Sequence, residues 1–116
     1  MVDDDPAVCT IMTEKLEAIG LTVLSARDGA DALAQLQSAD QAIQLVILDL
    51  LMPVMDGVET FTRLRQLQPA LPVLICSGIA LEPSTADRFA GENWRFLRKP
   101  FTSDRLHSEI VQLLQL

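Results

Sequence analysis

Residues 45–57, "LVILDLLMPVMDG", open with four apolar residues that show no polar alternation and then stop on an ionisable one, Asp49. An unbroken apolar run of this length suits a strand covered on both faces, as in a parallel sheet packed between helices. A carboxylate at the end of that run meets a desolvation cost. Two readings of Asp49 follow: it serves the turn that leads to Asp56-Gly57, or its charge is the purpose of the segment.

Working outward, the same uniform pattern returns in "VLIC" (73–76), and "WRFLR" (94–98) takes the place of a last strand. Between these runs the apolar residues recur at helical spacing. Asp5-Pro6 reads as a helix start, because Asp can accept a bond from a free backbone N–H and Pro has no donor to waste there. Val8, Ile11, Met12, Leu16 and Ile19 then form the predicted buried face, and Gly20 offers a left-handed stop. "LTVLSA" (21–26) reads as a strand, and Asp28-Gly29 turns into a second helix carrying Ala30, Leu33 and Leu36 inward. A third helix follows Asp56-Gly57 with Val58, Phe61, Leu64 and Leu67 inward, and Pro69 and Pro72 end it. A weaker helix is expected from Ser84 to Phe89. The last runs from about Thr102 with Leu106, Ile110, Leu113 and Leu114 buried. Strand and helix alternate with short connections, which implies right-handed crossovers and an α/β fold, a doubly wound parallel sheet with helices on both faces.

At 116 residues the chain forms one domain, 1–116, with one core. Sixteen acidic against nine basic residues give a net charge of -7, which repels nucleic acid phosphates, so no direct nucleic acid contact is expected. No apolar run approaches the length that spans a bilayer, and "MVDDDP" lacks the basic and apolar parts of a secretion signal, so a cytoplasmic protein with no membrane partner is expected. Cys9 and Cys76 have no metal-ligand spacing and fall in apolar patterns, which fits reduced, packed thiols.

In doubly wound sheets, ligands sit beyond the carboxyl ends of the strands. Asp3 and Asp4, Asp49, Ser77 and Lys99 all fall at or just past such ends. Carboxylates converging on one rim repel one another unless a cation sits among them, and Mg²⁺ suits a few carboxylate and carbonyl oxygens that leave room for a phosphoryl group. Asp49 could then attack phosphorus, Lys99 hold a phosphoryl oxygen and Ser77 donate to another, with Gly78 leaving space. Read singly, each has a plainer role: Asp3 to Asp5 as solvated acids and a cap, Ser77 as a turn hydroxyl, Lys99 as a surface lysine lying along apolar neighbours. Their joint placement favours the functional reading.

"VDDDP", "LVILDLLMPVMDG", "LPVLICSG" and "RFLRKPF", in that order, resemble the receiver domains of two-component response regulators over nearly the whole chain. The resemblance implies a flavodoxin-like sheet of five parallel strands in the order 2-1-3-4-5. It also implies Asp49 as phosphoacceptor, with Asp3, Asp4, Asp49 and the backbone carbonyl of Leu51 as the protein's ligands to Mg²⁺. Ser77 and Lys99 take the hydroxyl and lysine positions, and the Lys99-Pro100 bond is expected to be cis. A switch follows in which Phe96 turns inward and the face made by the fourth helix, last strand and last helix is altered. The implied donor is a histidine kinase or histidine phosphotransfer protein. The implied target is a downstream output protein or a domain of the parent protein, with homodimer formation through the altered face. "CSGIA" with "RFLRKPF" further resembles receivers attached to hybrid sensor kinases.

Two departures stand out. Only Met1 and Val2 precede the acidic pair, so the first strand is truncated, and an upstream apolar segment is expected to belong there. Leu51 and Ile79, at positions that influence the attacking water in this family, are apolar, so slow self-dephosphorylation is expected. The alternatives are a degenerate receiver acting as a phosphorylation-independent interaction module, or an aspartyl-phosphate phosphatase. The latter commonly needs a second Asp where Leu51 stands, and no Gly-rich phosphate loop supports a nucleotide site.

Overall fold

The computed structural model describes residues 1–3, 5–38, 43–49, 57–78, 83, 87, 89 and 93–114. Helix α1 spans Pro6–Ala18, α2 Gly29–Ser38, α3 Gly57–Leu67 and α4 Ser103–Leu114; strands β1 (Val46–Asp49), β2 (Val73–Ser77) and β3 (Trp94–Arg98) form one parallel sheet in the order β1-β2-β3. Val46 pairs with Val73 and Val73 with Trp94, so the three apolar runs lie in register. Most of the helix expected from Ser84 to Phe89 lies outside the described residues.

The alternation of a strand decides which layer each residue joins. Val46, Leu48, Val73 and Ile75 pack with Val58, Phe61 and Leu64 of α3 and Ala32 of α2. Ile47, Leu74 and Cys76 pack on the other side with Met12 and Leu16 of α1 and Leu106 and Ile110 of α4. Helices therefore cover both faces, which is why β1 and β2 carry no polar alternation.

The five strands implied by the resemblance are not all present as strands: the described sheet has three. Residues 21–25 form no strand; only Ala26 makes a bridge, and the partner is Val2. Val2 bridges Ala26 on one side and Leu48 on the other, both in parallel. Its N–H donates to Ile47 O at 2.7 Å and its carbonyl accepts from Asp49 N at 2.9 Å. Met1 to Asp3 thus lie along the line between the 26 segment and β1, with Val2, 3% exposed, as the residue bridged on both sides.

The local starts and stops follow their residues. The Asp5 side chain accepts from Ala7 N at 2.9 Å with Pro6 opening α1, and Gly20 takes φ +93° just after it. Asp28 accepts from Asp31 N at 2.8 Å to cap α2, and Thr102 accepts from Arg105 N at 3.1 Å to cap α4. The predicted helix faces are narrower than expected. Met12 and Leu16 are buried, but Ile11 is 53% and Ile19 39% exposed. Ile11 lies about 100° round the helix from Met12, and Ile19 is where the chain leaves the helix. Leu67 is 42% exposed because three-residue steps from Val58 drift by about 60° each and carry it off the stripe. In α2, Leu33 and Leu36 pack against the core as expected, but Ala30 is exposed and Ala32 is buried in its place.

Candidate functional site

Asp49 is the last residue of β1, Ser77 the last of β2, and Lys99 follows the last of β3. Parallel pairing brings these carboxyl ends to one rim, and Val2 carries Asp3 there beside β1. The backbone closes the arrangement: Lys99 N donates to Ser77 O at 2.7 Å, and the Lys99-Pro100 bond is cis, as expected.

The Lys99 ammonium donates to Asp3 Oδ2 at 3.1 Å, between residues 96 apart in sequence, and stands 3.7 Å from Asp49 Oδ2. The Asp3 side chain is almost wholly buried, Asp49's is mostly so, and Lys99's is partly open to solvent. Asp3 also accepts from the backbone N–H of Asp5 at 2.9 Å through Oδ1, which fixes its carboxylate plane from the other side. Burial works against the Lys99 charge, yet its hydrogen bond to Asp3 and the nearby Asp49 outweigh it and hold the ammonium above the usual lysine range. Formally, two carboxylates face one ammonium.

Ser77 is 1% exposed, at the carboxyl end of β2, with Gly78 exposed beside it; a methyl group on Gly78 would touch nothing within 4 Å. The space expected there is open. Phe96, in the middle of β3, is half-buried against the layer that holds Phe61 and Phe89. Asp4, Leu51 and Ile79 lie outside the described residues, so of the acidic set Asp3 and Asp49 are the members described. Among the described residues, no group of three or more His, Cys, Asp or Glu side chains could hold a metal ion.

Sequence reading missed the two thiols at this rim. Cys76 pairs with Asp49 across the strands and is 1% exposed; burial pushes its thiol up to about 12. Cys9 donates from Sγ to the Asp3 carbonyl at 3.3 Å, and burial, with the charge of Asp3, raises its pKa as well. Their apolar surroundings predict packed thiols, and only the strand register and the first turn of α1 put them beside the acids. Also missed was Glu109 on the buried side of α4, which pairs with Arg95 of β3 and, at 3.3 Å, with Arg105. Its place one residue before Ile110 and three after Leu106 was the available signal.

A family model, the response regulator receiver domain, matches residues 1–111. The chain is 33% identical over 114 residues to transcriptional regulatory protein ZraR of Salmonella typhimurium, covering 98% of this chain and 25% of that protein. It is 38% identical over 106 residues to the C4-dicarboxylate transport transcriptional regulatory protein DctD of Rhizobium meliloti, covering 91% of this chain and 23% of that one. The chain thus spans about a quarter of the length of these curated relatives. The receiver domain of NtrX from Brucella abortus superposes with a TM-score of 0.84 at 29% identity, over 98% of this chain and 95% of that one. No helix among the described residues is long and apolar enough to cross a membrane. With matching sequence, matching fold and acids gathered opposite a lysine at the carboxyl ends of a parallel sheet, the chain belongs to the family of response regulator receiver domains.

Proposed function

We propose that this receiver domain accepts a phosphoryl group on Asp49 from the phosphohistidine of a histidine kinase or phosphotransfer protein. The reading rests above all on one ammonium, that of Lys99, reaching both Asp3 at 3.1 Å and Asp49 at 3.7 Å from the far end of the chain. A structural lysine needs one partner; this one is shared by two acids of which one is the strand-end residue open enough to react.

In the transfer, an Asp49 carboxylate oxygen bonds to phosphorus as the phosphorus–nitrogen bond to the donor imidazole breaks, and the imidazole leaves with the electron pair. Lys99 exchanges a carboxylate oxygen for a phosphoryl oxygen, so the charge of the incoming group is met by an ammonium already in place. Ser77, at the carboxyl end of the neighbouring strand, donates its hydroxyl to another phosphoryl oxygen. Asp3 keeps Lys99 positioned and is itself held by Asp5 N–H.

Mg²⁺ fits the donor set: the carboxylates of Asp3 and Asp49 are hard oxygen ligands whose joint charge exceeds that of the lysine between them. Asp3, Asp49, Asp4 and the carbonyl of Leu51 would hold it, and when bound it supplies neutralisation of the transferring group's oxygens. The fold reading completes in the same way: with Val2 standing for the central strand and the 21–26 segment for its outer neighbour, the order is 2-1-3-4-5. Phosphorylation would shift the face of the fourth helix, β3 and α4, with Phe96 turning inward, and that face would engage an output domain or protein or a second copy. At a net charge of -7 the domain itself makes no nucleic acid contact.

Incubation with acetyl phosphate and Mg²⁺, followed by intact mass, tests the reading. Wild type gains one phosphoryl group, lost on hydroxylamine treatment, and Asp49→Asn gains none. An unmodified wild type with native folding would instead favour a phosphorylation-independent interaction module.

A further inference from the structure

Each polar atom of Asp3 has a partner. Its N–H donates to Ala26 O at 3.0 Å, and Oδ2 accepts from the Lys99 ammonium at 3.1 Å. Its Oδ1 accepts from the Asp5 N–H at 2.9 Å, and its carbonyl from Cys9 Sγ at 3.3 Å. These last two donors belong to one short piece of chain, the cap and first turn of α1. That turn is closed on itself through Asp5: the side chain accepts from Ala7 N at 2.9 Å, and the carbonyl accepts from Cys9 N at 3.1 Å.

The first N–H groups of a helix have no partner within it, and a capping side chain keeps the first turn wound by accepting from one of them. If the Asp5 cap is lost, the Asp5 N–H and the Cys9 thiol leave Asp3 together. The Asp3 carboxylate is then held from the Lys99 side alone and can turn about its side-chain bonds. Lys99 lies 3.1 Å from Asp3 and 3.7 Å from Asp49, so a turn of Asp3 changes where the ammonium rests against the acceptor. Displacements of this size are costly when reacting groups must be aligned.

We propose that exposed Asp5 is a positioning residue for the phosphoryl-accepting rim. Its cap holds the first turn of α1 as a mount, and through the Asp5 N–H and the Cys9 thiol that mount orients Asp3, which in turn places Lys99 against Asp49. The geometry of the cap acts here, not the charge of its carboxylate. The effect on reaction rate rests on phosphoryl transfer to Asp49; the mounting of Asp3 does not.

The 116-residue chain is compared with Asp5→Ala, Asp5→Ser, Cys9→Ala and Gly20→Ala. Gly20 takes φ +93° just past the other end of α1, so Gly20→Ala strains the same helix away from the mount. Melting temperature, amide exchange at residue 5 relative to each sequence's intrinsic rate, and the rate of Asp49 labelling by acetyl phosphate with Mg²⁺ are read. Asp5→Ala should lower the melting temperature by about 4 °C, speed exchange at residue 5 about tenfold and slow labelling about fivefold. Serine is an equivalent cap without charge, so Asp5→Ser should return exchange and labelling to within about twofold of wild type. Cys9→Ala, which removes one of the two bonds, should slow labelling about twofold. Gly20→Ala should lower the melting temperature yet leave exchange at residue 5 and labelling unchanged. Wild-type labelling in folded Asp5→Ala, equal slowing in Gly20→Ala, or no recovery in Asp5→Ser overturns the proposal. A wild type that takes no phosphoryl group defeats the functional reading; exchange at residue 5 then decides the mount, upheld if Asp5→Ala speeds it and overturned if it is unchanged.

Discussion

At the carboxyl ends of its strands this sheet gathers Asp3 and Asp49 around the Lys99 ammonium, with Ser77 ending the strand between, whereas at the amino ends the same strands meet a cleft walled by Leu16, Leu36 and Leu64. Strands of four or five residues separate the two. Between them lie Leu48, Leu74 and Ile75, none measurably exposed. That dry layer lets both chemistries exist: it carries the hydrophobic stabilisation and keeps the charged rim a low-dielectric, fixed arrangement. Stability and chemistry should therefore separate by end.

The largest expected effect is at the apolar end. Leu64 is 1% exposed and borders the cleft, so Leu64→Ala should cost about 2–5 kcal/mol in urea unfolding. Acetyl phosphate labelling of Asp49, measured where the variant is still folded, should proceed at the wild-type rate. A slowed reaction in folded protein would break the separation.

The converse holds at the charged end. Lys99→Met should slow labelling by roughly 10²-fold, the loss seen when a fixed stabilising donor is removed. It should also leave Asp3 buried beside Asp49 with no ammonium between them, at a cost of about 1–3 kcal/mol. Part of that cost should vanish in Lys99→Met/Asp3→Asn, because the uncompensated acid goes with it. Simple additivity of the two substitutions would place Lys99 outside the acids' field.

Much of this rim was legible from residue order, because strands buried on both faces are conspicuous and their last residues lie at known ends of the sheet. Asp49, Ser77 and Lys99 could be placed for that reason, and Gly20 marked the end of α1 through the one backbone shape that glycine favours. The central line was harder. Val2 bridges both neighbours, but "MV" before the acids is too short to show a strand by its pattern. The 21–26 run has the composition of a strand, but pairing decides strands, and among the described residues only Ala26 forms a bridge. Ile11 and Ile19 show the limit of periodicity, since a helix between a short sheet and solvent buries a stripe one residue wide per turn. Glu109 escaped because a charge beside an apolar stripe reads as surface until Arg95 is known to approach from β3.

Cys76 sits at the boundary between the two ends and gives the next effect. Burial holds its thiol protonated up to about 12, against an ordinary value of 9.0. The unfolded chain loses that proton first, so the stability attached to it is fully present below about pH 9 and drains away as pH rises toward about 12. Cys76→Ala should lose about 1 kcal/mol of packing at neutral pH yet fall less steeply over that alkaline window. In the native wild type, iodoacetamide should modify half-buried Cys9 before Cys76. A Cys76 that reacts first would mean water reaches beneath Asp49, and the dry layer would no longer insulate the ends.

The smallest effect tests whether α4 belongs to the charged end or the apolar one. Glu109 is 6% exposed, and its hydrogen bond from Arg95, helped by Arg105, outweighs burial and holds its carboxyl below the usual range. A depressed pKa stabilises the fold above the unfolded value of 4.5, and the contribution is lost as pH falls through the lower folded value. Arg95 and Arg105 are both substantially solvent-exposed, so the pair is screened, and Glu109→Gln should cost only about 1 kcal/mol at pH 7. Below pH 4.5 the wild type and Glu109→Gln melting temperatures should converge. Labelling of Asp49 should be unchanged, because this pair fastens α4 to β3 at Arg95, four residues before Lys99 and on the strand's way to the rim. If Glu109→Gln instead slows labelling without altering stability, α4 transmits to the phosphorylation site through this contact, and the charged end extends down the last strand.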